Sequence, residues 1–413
     1  MKDVAVSGPV PVDGRAAVER FRFRGLPVVY QHHPGRLTAI SLTALAGARY
    51  DGAAPGIAHL TEHMLFQGTS TLDQLALNRR AAELGGEHNA DTGYEDVSLL
   101  FEVFNEDVGE ALQLLAEQYY DTRIDAKALA KERRVVMEEI RGRLDDPAER
   151  LHRRAWTRLF AGALANPVSG TLSSVRHIEV DQVERFRATH FTHGNSVLSI
   201  VGGVPVDDVR RAVRATFDRG EPGKAVTRPP ISFRRGGSCR MKTAERGQAY
   251  VTMLMSIPAD PRHILATGVA LDMIGGDPDS RLFQELREKM GLSYDVGAHV
   301  EWGPDWGLAS ISSSSSRGHA DRLVRELQRV CDEAAATGFD AGEIARARKK
   351  IRYRNAMMAE SRLDQAGALA ESELWGAPTP DEAERIVAEL RPEEIEAAWR
   401  KSLASNKVIA VLK

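Results

Sequence analysis

Cysteine is nearly absent. Only Cys239 and Cys331 occur in 413 residues. Two such residues build no disulfide framework, and neither has metal-motif spacing, so buried, unreactive thiols are expected. Long apolar runs are missing too. No stretch approaches the roughly 20 residues that span a bilayer, which argues against a membrane partner. The first 25 residues carry Lys2, Asp3, Asp13, Arg15, Glu19, Arg20, Arg22 and Arg24 with no apolar core, unlike a secretory signal. A cytoplasmic location follows as the expectation. Charge of one sign does not dominate: the net charge is −3, with no electrostatic case for a nucleic-acid partner. A nucleophilic serine lacks its usual setting, since no G-x-S-x-G elbow occurs. The run Ser312 to Ser316 reads as strand end and loop. His32-His33, before Pro34-Gly35, reads as a solvated turn. Arg348 to Arg354 reads as an exposed face of a helix.

What remains is an ordinary globular composition, 43% hydrophobic and 27% charged, over a length that suggests two domains of about 200 residues. Within it, residues 59–63 read His59-Leu60-Thr61-Glu62-His63. On a helix, positions i and i+4 share a face, so both imidazoles can address one ion. Catalytic zinc takes three N/O protein ligands and leaves a position for water. Glu62 stands beside the histidines without being needed as a ligand, which suits a general base. This H-x-x-E-H order is the inverted zincin motif. Read alone, the pentapeptide fits a solvated helix face equally well. Its flanks, Gly56-Ile57-Ala58 and Met64-Leu65-Phe66, favour a half-buried helix, and Gly68-Thr69 ends it. A further carboxylate is available downstream in Val135-Val136-Met137-Glu138-Glu139-Ile140.

The chain also repeats itself. Asp181 to Phe186 leads to the strand Asn195 to Val201, and Glu393 to Trp399 leads to Asn406 to Leu412. Asn195 and Asn406 are 211 positions apart, about half the chain. Two copies of one domain are expected, 1–220 and 230–413, with breakers gathered from Arg219-Gly220-Glu221-Pro222-Gly223 to Pro229-Pro230. Leu37 to Gly47 and Asp96 to Phe104 read as strands, Thr71 to Leu84 and Asp107 to Tyr120 as helices. The fold class is therefore α+β, each domain a largely antiparallel sheet with helices packed on one face.

The segment Gly56 to Thr69 closely resembles the zinc helix of the insulinase, pitrilysin and mitochondrial processing peptidase superfamily. The resemblance continues in Gly85-Gly86 with Asn89-Ala90, in Glu132-Arg133 with Glu138-Glu139-Ile140, and in Asn195 to Gly202. It reaches Ser280 to Arg287 and Gly291-Leu292-Ser293-Tyr294, nearly the whole chain, and is nearest to the short bacterial branch. It implies a zinc endopeptidase with His59, His63 and Glu139 as ligands and Glu62 as base. Register with the family selects Glu139 over Glu138, since adjacent helix residues point about 100° apart. Glu132, two turns before Glu139, is implied to lie beside the ligands; a surface pair with Arg133 or Arg134 is the alternative. For Arg287 and Tyr294 the residues alone suggest a surface cation and a half-buried ring. The resemblance implies instead that they reach the scissile carbonyl and its oxyanion. Asn89 and Ala90 would begin an exposed edge strand that binds peptide by its main chain. His88 beside them reads as solvated or substrate-facing. The resemblance further implies peptide substrates taken into a closed chamber, and a homodimer or a heterodimer with a related chain. Two alternatives stand: a subunit of a hetero-oligomeric peptidase maturing a specific precursor or leader peptide, and a catalytically silent scaffold.

Overall fold

The computed structural model describes residues 17–242 and 247–413, apart from the side chain at 219. The charged residues before 17, read above as no secretory signal, lie outside the described residues. Strands β1 (Val18–Phe23), β2 (Leu26–His32) and β3 (Leu37–Ala44) come first. Then follow α1 (Ile57–Met64), α2 (Gln74–Glu83), β4 (Glu87–Thr92), β5 (Val97–Phe104) and α3 (Val108–Asp121). Next are α4 (Ala126–Asp145), α5 (Pro147–Leu159), β6 (Phe160–Gly162), α6 (Leu172–Arg176), α7 (Val180–His190), β7 (Ser196–Gly202) and α8 (Val206–Thr216). The second half begins with β8 (Ile231–Phe233), β9 (Gly237–Met241), β10 (Gln248–Ile257) and α9 (Pro261–Leu271). It continues with β11 (Asp295–Gly303), β12 (Trp306–Ser316), α10 (Ala320–Thr337) and α11 (Ala341–Glu360). It closes with α12 (Arg362–Trp375), α13 (Pro380–Glu389), α14 (Pro392–Leu403) and β13 (Lys407–Leu412).

Two α+β sheets repeat one plan, as the internal repeat requires. The first has the order β1-β2-β7-β3-β5-β4, the second, read from its far edge, β9-β13-β10-β12-β11. In both, one parallel pair (β2 with β7, β9 with β13) joins an otherwise antiparallel ladder. Period-2 alternation explains the layering. In β3, Ile40 and Leu42 are fully buried, and their neighbours Phe101 on β5 and Ile200 on β7 are too.

The compact units are not two continuous halves. One comprises 1–140, 166–229 and 358–377, the other 141–165, 230–357 and 378–413. Each sheet therefore also carries a helix from the opposite half of the sequence. In the first unit, Ala366, Leu369 and Ala370 of α12 pack on Val29, Ala39, Val197 and Val201. In the second, α5 lies along β10, β13 and β9. A helix so placed covers the sheet face that the unit's own helices leave open, an addition to the one-face packing read from sequence. Periodicity alone cannot show it, because the apolar stripe of α12 names no partner.

Three local expectations change. Ser312–Ser316 is not loop: it completes β12, paired throughout with β10 and, as far as Ser314, with β11 on the other side. Cys331 is buried, but Cys239 lies half-buried on β9. The stretch from Arg348 to Arg354 is not simply a solvated face, since Arg348 donates to the Leu390 carbonyl and Arg354 pairs with Asp272.

Candidate metal centre

α1 is a short helix that must be held. It is preceded by Gly56, whose φ of 91° leaves little room for any other residue. Gly56 has no side chain to cap the first amides. Asp51, five residues upstream and 5% exposed, supplies the carboxylate: Gly56 N donates to Oδ2 at 2.6 Å and Ala58 N to Oδ1 at 3.0 Å. A carboxylate there also complements the helix dipole. Burial nevertheless pushes its pKa up to about 7, the hydrogen bonds from the two amides opposing. Ile57, Ala58, Leu60 and Met64 face the core, which turns His59 and His63 to the other side, toward α4.

On α4, Leu129, Glu132, Val136 and Ile140 form the buried stripe. Glu139 falls beside that stripe and faces both imidazoles, whereas Glu138 is exposed. His59 Nε2 is 3.8 Å from Glu139 Oε2, and His63 Nε2 is 3.7 Å from Oε1. The rings stand edge-on with centroids 4.8 Å apart. The three donor atoms lie within 4.8 Å of one another, the one such three-ligand group among the described residues. Ligands held at 2.0–2.2 Å around a tetrahedral zinc would be separated by about 3.3–3.5 Å. To hold zinc, the two His–Glu139 separations would close by about 0.2–0.5 Å and the widest separation, up to 4.8 Å, by more than about 1 Å.

Glu132 is no surface partner of the neighbouring arginines. Its side chain is 7% exposed, and His63 Nδ1 lies 3.2 Å from Oε2. That bond fixes the Nδ1–H tautomer and leaves Nε2 aimed at the metal position, the usual arrangement of a zinc histidine. Burial alone would lower the His63 pKa, but the Glu132 hydrogen bond and the charges of Glu139 and Glu62 raise it. Burial would raise the pKa of Glu132; its bonds to His63 and Lys131 outweigh that and lower it.

Glu62 sits next to His63, and its Oε2 accepts from the Thr92 hydroxyl at the end of β4. Burial raises its pKa above the ordinary carboxyl value, against the Thr92 bond and the His63 charge. β4 is an edge of its sheet, with Asn89 exposed and Ala90 buried. His88 is half-buried and not freely solvated. It stacks on Phe101 at 4.3 Å and its Nε2 meets Gln118 Oε1 at 2.9 Å, so its ring is held in place. Arg287 and Tyr294 belong to the second unit. The Arg287 guanidinium lies 4.8 Å over the Phe283 ring, and Tyr294 is 55% exposed. Asp51 and Thr92 escaped the sequence reading. The available signals were an Asp-Gly turn before the helix, and a hydroxyl two residues beyond Ala90 on the same strand face.

Two family models match the chain. One, described as insulinase (peptidase family M16), matches residues 27–171, and the other, described as the peptidase M16 inactive domain, matches residues 177–351. Together they cover most of the sequence, and the chain belongs to the peptidase M16 family. A protein of Streptomyces coelicolor named an uncharacterized zinc protease is 27% identical, over 94% of this chain and 87% of its own. One of Mycobacterium tuberculosis with the same description is 29% identical over 97% and 95%. Among solved structures, a peptidase M16 inactive domain from Pseudomonas fluorescens superposes with a TM-score of 0.88 at 21% identity, covering 96% of this chain and 98% of that one. A protease from Helicobacter pylori gives 0.88 at 17% identity, with 100% and 99% covered. At these identities the structures bear on the fold alone. No helix among the described residues is long and apolar enough to cross a membrane.

Proposed function

We propose that the chain is a zinc-dependent endopeptidase acting on peptides and unfolded segments. The observation that carries this is the convergence of His59 Nε2 and His63 Nε2 on the two oxygens of Glu139, with Glu62 alongside. His59, His63 and Glu139 would hold the ion. Bound zinc supplies Lewis acidity, polarising a carbonyl and lowering the pKa of water toward ~7. Glu132 holds the His63 ring in the tautomer that ligation needs. Glu62, steadied by Thr92, takes a proton from the attacking water and returns it to the leaving amine. The free edge of β4, with Asn89 and Ala90, binds the substrate main chain as an added strand, which accepts many side-chain sequences. Arg287 and Tyr294 donate to the developing oxyanion.

The names of the relatives favour the same reading, and so does the retention of base and ligands together, which a silent scaffold would not need. With two free cysteines the reading places the protein in the cytoplasm. The chamber and the pairing of chains that the resemblance implies belong to this proposal, and light scattering of the purified chain tests the pairing. The main test compares wild type with His63→Ala and Glu62→Gln. Wild type should hold about one zinc per chain and His63→Ala much less. Glu62→Gln should keep zinc and lose on the order of 10²-fold or more in kcat. Equal zinc in wild type and His63→Ala, or near-normal turnover by Glu62→Gln, refutes the assignment.

A further inference from the structure

α4 and α11 hold matching places in the repeat. Each runs for 20 residues, and after one residue each is followed by a capped helix that belongs to the other unit. The caps give a register. Glu139 stands seven residues before the cap of α5, Asp146, and Arg354 seven residues before the cap of α12, Ser361. Arg354 therefore occupies the place of Glu139. In the first unit Glu139 faces two imidazoles on the helix after β3. In the second, Arg354 faces Asp272, at the end of the helix that follows β10. Nη1 donates to Oδ1 at 2.9 Å and Nη2 to Oδ2, a bidentate pair.

We infer that the Arg354–Asp272 pair takes, in the second unit, the structural place that the metal site takes in the first, and that it positions the segment carrying Arg287 and Tyr294. The inference rests on the role proposed above for those two residues. Asp272 opens a turn of π-helix, Asp272–Gly276, and is itself 7% exposed. That turn lies tight under its neighbours. A Cβ on Gly275 would meet Ala298 Cβ at 3.0 Å, Val296 Cγ1 at 3.3 Å and Leu282 Cδ1 at 3.4 Å. Val296 and Ala298 lie on β11, the strand that leaves Tyr294. Leu282 precedes the turn Phe283–Lys289 that holds Arg287. A shift of Asp272–Gly276 is thus passed to both ends of the segment. Lys350 also reaches Asp277 and Asp279, at 2.8 and 2.5 Å, but those carboxylates are 39% and 47% exposed. Exposed pairs hold weakly. The Arg354 side chain is itself 56% exposed, but its planar, two-bond pair ends on a carboxylate only 7% exposed, which holds geometry, and removing the arginine strands that buried carboxylate. Arg354 and Asp272 are positioning residues on this account, since neither touches the reacting atoms.

The experiment uses the zinc-loaded full-length chain and compares Arg354→Met, Arg354→Lys and Lys350→Met. Arg354→Met should lower kcat roughly 10–100-fold with KM and zinc content unchanged. It should also speed amide hydrogen exchange across 283–294 at least about 10-fold, whatever the enzyme does. Arg354→Lys should recover much of both effects, and Lys350→Met should stay within about 3-fold of wild type. If Arg354→Met does not fold, Arg354→Lys carries the test with a smaller loss in the same direction. Exchange across 283–294 unchanged in a folded Arg354 variant overturns the inference. Equal effects of Lys350→Met and Arg354→Met overturn it as well. Faster exchange with normal turnover upholds the positioning and instead refutes the catalytic role of Arg287 and Tyr294.

Discussion

Glu132 offers the sharpest test of the metal centre, because it touches a histidine and should not touch the ion. Its Oε2 receives the His63 Nδ1–H at 3.2 Å, in a pocket where the carboxylate is 7% exposed. Glu132→Gln keeps the length and an accepting oxygen but removes the negative charge. The tautomer can persist, while the imidazole becomes a weaker donor to a cation. Loss of such a partner typically costs 10–100-fold in metal affinity, about 1.4–2.7 kcal/mol. Lys131 Nζ, 3.3 Å from the other oxygen, is half exposed and can swing into solvent, so it should not offset the loss. Competition with a zinc-binding dye at fixed pH measures the change directly. The metal-free melting temperature should fall modestly, because the substitution preserves volume but weakens the charge-assisted bond to His63. Unchanged zinc affinity in a folded Glu132→Gln protein would refute the idea that Glu132 tunes His63.

Two further outcomes follow from the surroundings of β4 and β5. Asp96, just before β5, has its pKa pushed up to about 8, chiefly by burial and then by repulsion from Glu371 on α12, whose pKa burial pushes up to about 7. Both folded values exceed those of the unfolded chain, so the folded state binds more protons from about pH 4 upward and stability falls as pH rises through 7 to 8. Glu371→Gln should raise stability in urea titrations by about 1–2 kcal/mol at pH 8 and by almost nothing at pH 4, the sign opposite to a salt-bridged carboxylate; an equal gain at both values would contradict the account. At the other end of β4, a Cβ on Gly86 would come within 1.9 Å of the Glu102 carbonyl oxygen. Gly86→Ala should therefore push the edge strand outward, costing about 1–3 kcal/mol and raising KM for peptides more than it alters zinc content. Normal KM in that variant would separate β4 from substrate binding.

The metal cluster was legible because helix geometry is local: an i,i+4 histidine pair shares a face wherever the helix lies. Its supports were less legible. Asp51 caps α1 from outside the helix, and Thr92 reaches Glu62 from a strand 30 residues on, so only tertiary structure pairs them. His88 shows the converse. Its exposure was inferred from an edge strand, yet its ring is held by Phe101 directly opposite in the β4–β5 register. The repeat announced two similar sheets, but not that α5 and α12 trade units. Each of these helices follows its predecessor after a single residue, so the sequence contains no linker to mark the crossing.

The repeat also bears on what the metal does for the fold. In the second unit the corresponding junction between the helix after β10 and the long helix is closed by the Arg354–Asp272 ion pair, and among the described residues no group of three metal-ligating side chains gathers there. The same plan in the first unit should then not need zinc to fold. α1 is already anchored by the Asp51 cap, by buried Leu60 and Met64 and by the His63–Glu132 bond. Structural zinc of the zinc-finger kind is different, since its removal unfolds the domain. Chelation of this protein should leave far-ultraviolet circular dichroism nearly unchanged. The unfolding free energy of the first unit should fall only by the linkage term, about 2.7 kcal/mol when free zinc is 100 times its dissociation constant, with a matching modest drop in Tm. The loss should be restored on adding zinc back. Hydrogen exchange localises the change: faster exchange should be confined to α1 and the middle of α4, with β3, β5 and β7 protected as before. Global unfolding of the first unit on chelation would show that the metal holds the fold, and that the ion pair of the second unit is no guide to the first.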